Sequence, residues 1–159
     1  MDADQEKRAL AALRRADFTG HGDEGWGDSQ KRSAAKAPTL RALLQERLNV
    51  RLGVDDQIQD ATHFLAFVWH EPVGTNEQVT ACVRFSAWGE LVTSFEPVEF
   101  GVGRPLAREA LIEELVVAAG FTYIPCAAVQ LPYDGNAVDG LEGPAGMRST
   151  WRTRLFEYQ

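Results

Sequence analysis

Apolar and polar positions along the chain change period twice. Over residues 2–16, Ala9, Leu10, Ala12, Leu13 and Ala16 recur at three- and four-residue spacings. Acidic residues fill the first turn, and Arg14 and Arg15 stand where cations suit the helix dipole, so this stretch predicts a modest amphipathic helix. Residues 17–37 lose all periodicity. Gly20, Gly22, Gly25 and Gly27 punctuate them, and the segment reads as a long irregular loop around one aromatic, Trp26. Helical spacing returns over residues 38–49, where Pro38 suits a start and Leu40, Leu43, Leu44 and Leu48 share a face. Gly53 punctuates its end.

From residue 61 the period falls to two. Residues 61–70 are almost continuously apolar, as in a strand covered on both faces. Residues 78–86 alternate, with Val79, Ala81, Val83 and Phe85 on one side and Gln78, Thr80, Cys82, Arg84 and Ser86 on the other. Pro72, Gly74 and Asn76 predict a hairpin between these runs, and Trp88-Gly89 turns the chain into a third strand at 90–96. The strongest helix expectation is 105–119, with Pro105 at its first position and Gly120 at its left-handed C-terminal cap. Residues 121–125 and 127–131 read as short extended pieces and 133–146 as a second irregular loop. The last ten residues alternate like a strand. Strands that run together rather than alternating with helices imply an α+β fold in one domain, 1–159. The expected sheet is antiparallel, a meander over 61–96 plus a C-terminal strand, with the helices packed on one face.

Composition narrows the classes. The longest apolar run, Phe64 to Trp69, is far short of the roughly 20 residues of a membrane helix. The charged N-terminal residues lead into no apolar segment, so the expectation is a cytoplasmic protein with reduced cysteines and no membrane partner. Lys and Arg number 16 and Asp and Glu 23, a net charge of −7. The excess is confined to residues 60–159, and between Glu109 and Glu142 six carboxylates occur with no Lys or Arg. Such a field disfavours nucleic acid and favours a basic protein partner.

No strong catalytic motif is present. His70-Glu71 lacks the second histidine of a zincin, because position 74 is Gly. His63 and His70, seven apart on a strand, point to opposite faces. Gly101-Val102-Gly103 lacks the third glycine of a dinucleotide loop, since position 106 is Leu. Cys82 and Cys126 have no activating neighbour in sequence. No catalytic residue, metal ligand or cofactor is therefore expected. The candidate partner-binding residues are Tyr133, Asp134, Asp139 and Glu142 on the second loop, Glu113 on the preceding helix, and Trp26 as an aromatic anchor. Arg152 and Arg154 are expected to blunt an edge strand or to pair with carboxylates.

The stretch from Leu111 through Gly120-Phe121-Thr122-Tyr123-Ile124-Pro125, then Pro132-Tyr133-Asp134-Gly135, then Trp151 through Tyr158, resembles the ends of small bacterial immunity proteins. The resemblance covers roughly residues 105–158. It implies a non-enzymatic cytoplasmic protein that binds and inhibits a cognate toxin, and it assigns no residue a role. Two alternatives stand beside it. One is a ligand-binding or enzymatic domain with an aromatic pocket formed by Trp69, Phe85, Trp88 and Trp151. The other is an adaptor or chaperone for a secreted protein.

Overall fold

A computed structural model of the chain describes residues 1–19, 23–56, 63–73, 77–88, 90–97, 103–135 and 150–156. The meander is present: β2 (His63–Val73), β3 (Glu77–Ser86) and β4 (Leu91–Pro97) pair antiparallel in chain order, with Phe67 opposite Val83 and Cys82 opposite Phe95. β1 (Gly53–Asp55) adds antiparallel to the outer side of β2, placing Val54 opposite Phe67. β5 (Gly103–Arg104) continues the order beyond β4, and β6 (Thr122–Ile124) lies parallel to β4. The fold is α+β.

The helices divide between both faces of the sheet rather than gathering on one. Phe67, Trp69, Ala81, Val83, Phe85 and Val92 form one buried cluster with Leu40, Leu44 and Leu48 of α2 (Asp23–Leu48) and Ile112, Leu115 and Val116 of α3 (Glu109–Ala118). The other face is buried too. Cys82 and Phe95 pack with Cys126 of α4 (Cys126–Val129), and Arg84 donates through Nη1 to the Phe156 carbonyl of α5 (Trp151–Phe156) at 3.0 Å. Polar residue types on this face, Arg84 and Thr93 among them, disguise its burial in the sequence. A further cluster joins Ala9, Leu13 and Ala16 of α1 (Ala3–Thr19) to Leu91, Ile124, Val129, Trp151, Leu155 and Phe156.

Four segments depart from the sequence expectation. Most of the loop expected at 17–37 is the N-terminal half of α2, with Pro38 inside the helix rather than at its start. Ser29, Ser33 and Ala37 continue the buried stripe of Leu40, Leu44 and Leu48, so small polar residues take the place of leucines. Two glycines and an internal proline cost roughly 1 and 3 kcal/mol per site relative to alanine. Contacts with the β3–β4 turn offset them. Lys36 and Arg32 bond the Glu90 carboxylate at 2.5 and 3.1 Å, Ser29 Oγ accepts from the Glu90 amide at 3.3 Å, and Lys36 also donates to the Gly120 carbonyl at 2.9 Å. α2 ends at Asn49, whose φ of 54° reverses the chain before Gly53, and the Val50 amide bonds back to the Gln45 carbonyl.

The expected closing strand is α5. Thr150 caps it by accepting from the Thr153 amide at 3.3 Å, and two i, i+4 pairs, Trp151 with Leu155 and Arg152 with Phe156, turn inward. Alternation over so few residues also satisfies helical spacing. The extended piece expected at 127–131 is mostly α4. α3 begins at Glu109, four residues after Pro105, with the intervening chain folded so that Leu106 enters the core. At its other end the Gly120 and Phe121 amides bond the Val117 and Val116 carbonyls, with φ of 82° at Gly120, as its sequence predicts.

Candidate binding groove

Of the expected site residues whose side chains are described, Glu113 stands apart from the adjacent Tyr133 and Asp134. Tyr133 is half-buried. Its hydroxyl donates to Asp17 Oδ2 at 2.7 Å, and its ring meets Trp151 edge-on at 4.7 Å. Asp17, fully buried, also receives Arg154 Nε at 2.8 Å, so Tyr133 helps to lock α1 against α5. Asp134 pairs with Arg14, whose hydrogen bond holds its carboxyl below the usual range. Glu113 lies toward the opposite end of α1, on a small cleft of about 290 Å³ that Gln5 and Arg8 share. Trp26 belongs to the backbone of α2 rather than a loop. Asp139 and Glu142 lie outside the described residues, as do all residues of the second loop from 136 to 146. Among the described carboxylates of the tract that reads as uniformly acidic in sequence, Asp134 is met by a cation folded back from the neutral half, Arg14.

The aromatic pocket does not form either. Trp69 and Phe85 are core residues of the α2–α3 cluster, Trp151 is buried in the α1–α5 cluster, and Trp88 packs against the latter under Arg154. The carboxylates of buried Glu71 and half-buried Glu109 are held by internal donors. Glu71 receives Arg108 and Trp69 Nε1, and Glu109 accepts from the Tyr123 hydroxyl and the Cys126 amide. Burial pushes the Cys82 thiol up to about 12 and raises that of Cys126, which disfavours a thiolate at either. Among the described residues no group of His, Cys, Asp and Glu could hold a metal ion, and no helix is long and apolar enough to cross a membrane.

A concavity wider than that cleft lies elsewhere. It is an open groove of about 950 Å³ between one flank of α2 and the outer end of the sheet. Its helix wall carries Ala34, Pro38, Arg41, Ala42, Gln45 and Glu46, and its opposite wall Val50 of the α2–β1 connection with Val54, Leu65 and Phe67 of the sheet, and Asp56 at the rim. Direct pairing puts Val54 and Phe67 on the same face of the sheet, the face that α2 covers further in. α2 stops short of the edge, so Val54 remains 42% exposed.

Three local features shape the groove. Small side chains at positions 34, 38 and 42 keep the helix wall shallow. Pro38 has no amide hydrogen, so it removes the donor that would close the helical turn onto the Ala34 carbonyl. Arg41, Glu46 and Asp56 form no ion pair among the described residues and are available to a ligand. One sequence signal for the opposite wall was legible, the alternation Val50, Leu52, Val54, but it sits where the chain reads as a helix terminator. The groove has an apolar floor with a few convergent polar groups, in the size range of binding sites.

Compared with known protein families, characterised proteins and solved structures, the chain matches none.

Proposed function

We propose that this chain is a binding protein that acts by occupying a partner, not by catalysis, and that the partner docks in the α2–β1–β2 groove. The observation that carries the reading is the groove itself. A large concavity with apolar walls and unpaired rim charges is available, while the buried carboxylates and thiols that could do chemistry are held by internal partners or by burial. The C-terminal resemblance supplies the specific form: a cytoplasmic immunity protein that neutralises a basic toxin domain. A protein of net charge −7 favours encounter with such a domain.

The test begins with the tagged chain expressed in its own cell. Its complexes are isolated and the partner identified by mass spectrometry. The partner alone is expected to arrest growth of a naive host, and co-expression of the chain to relieve the arrest through a stoichiometric complex. A harmless partner, or relief by a chain that turns over and leaves the partner covalently altered, overturns the proposal.

A further inference from the structure

The groove's shape and charge specify what it takes. Resting on the binding reading above, we infer that its occupant is an amphipathic α-helix of the partner, apolar on one face and flanked by basic residues. On the covered face of the sheet, α3 lies over β4 and β6 and packs beside α2. Outward of α2 no described helix covers the β1–β2 surface, where Val54 is exposed and Leu65 half-buried over buried Phe67. The helical layer therefore stops one helix short of the sheet edge. The α2 flank from Ala34 to Glu46 runs about 18 Å at 1.5 Å per residue, enough for a docked helix of about three turns.

The small residues Ala34, Pro38 and Ala42 allow that helix to approach α2 within the roughly 8–10 Å of packed helix axes. An extended segment is less well served, because β1 offers only three residues of edge. Charge completes the specification. The rim holds two carboxylates, Glu46 and Asp56, against one guanidinium, Arg41. Lys or Arg beside the apolar stripe meets the carboxylates, and the Ala34 carbonyl accepts one further N–H.

The probe is a synthetic 14-residue peptide with Leu at i, i+3, i+4, i+7 and i+11 and Lys on the flanking positions. A peptide of the same composition in scrambled order serves as control. Binding is read by fluorescence anisotropy, peptide helicity by circular dichroism, and the surface by amide chemical shifts. The patterned peptide is expected to bind at least about tenfold tighter than the scrambled one, a difference of about 1.4 kcal/mol, and to gain helix. Shifts are expected at Ala42, Glu46, Val54 and Leu65. Ala42→Arg, which fills the groove from an exposed position, is expected to weaken binding at least about tenfold. The pair Glu46→Lys and Asp56→Lys is expected to weaken it and to abolish its salt dependence. Asp134→Lys, on the far surface, is expected to change nothing.

Equal binding of the two peptides, no binding below about 1 mM, or shifts on α1 overturns the inference. The growth assay separates the two levels. If Ala42→Arg protein still relieves the arrest, the groove assignment falls and the binding function stands. If the unaltered chain gives no relief, the function falls, and the peptide data judge the groove alone.

Discussion

Replacing Arg108 with Ala tests whether the pin at the end of α2 is as important as its geometry implies. Arg108 donates through Nε and Nη2 to Glu71 Oε1 at 3.0 and 2.6 Å, and through Nη1 to the Leu48 carbonyl at 2.9 Å. One side chain thus joins β2, the start of α3 and the last turn of α2, which forms part of the groove wall. The Glu71 side chain is 10% exposed and that of Arg108 35%. Removing the guanidinium leaves a buried carboxylate with one remaining side-chain donor, Trp69 Nε1 at 3.1 Å. Breaking a fully buried pair costs about 3–5 kcal/mol; the exposure of Arg108 admits water to the carboxylate and reduces this to about 2–3. At this chain length the melting temperature should fall by roughly 5–10 °C. Urea unfolding followed by far-ultraviolet circular dichroism measures the change, with an unaltered denaturant slope. The double variant Glu71→Leu, Arg108→Leu should recover most of the loss, because no uncompensated charge then remains buried. An Arg108→Ala cost below about 0.5 kcal/mol, or a double variant as poor as the sum of both single changes, refutes the reasoning.

Other outcomes follow from single contacts. Gly27→Ala should stabilise the protein by about 0.5–1 kcal/mol in thermal unfolding, since Gly27 lies within α2 and an added Cβ meets nothing within 4 Å. Tyr133→Phe should cost about 1 kcal/mol by removing one of the bonds to buried Asp17, whereas Asp134→Ala, whose main loss is the exposed pair with Arg14, should shift the melting temperature much less. Burial raises the Glu90 carboxyl pKa, but bonds from Lys36 and Arg32 outweigh it and hold it below the usual range. Its stabilisation is therefore present above the unfolded carboxylate pKa and is lost as pH falls through the lower folded value; Glu90→Gln should flatten the acid limb of a stability-against-pH profile. With its thiol pushed up to about 12, Cys82 should resist iodoacetamide at pH 8 until denaturant is added.

What the chain disclosed of its fold depended on how local each signal was. The β3 alternation and the Gly120 cap are properties of a few adjacent residues, and both appear as expected. The N-terminal half of α2 was hidden because its glycines suit a loop, and because what holds it, Glu90, lies 54 and 58 residues from Lys36 and Arg32. α5 read as a strand because its buried face includes Arg152, stacked over the Phe95 ring at 4.3 Å, which sequence assigns to solvent. The groove was less legible still. Its walls come from three segments, and residues such as Ala34 and Ala42 matter for what they leave open. The acidic tract misled for the converse reason. Net charge is additive along a sequence, but Arg14 and Asp134 become neighbours only in the fold.

The most direct test of the central claim is amide hydrogen exchange of the chain, free and bound to its identified partner. Protection on binding is expected along the α2 flank from Ala34 to Glu46 and over β1 and the adjoining part of β2, with the α1–Asp134 side unchanged. Protection centred on Glu113 or on residues 133–135, with the groove exchanging as in the free protein, contradicts it.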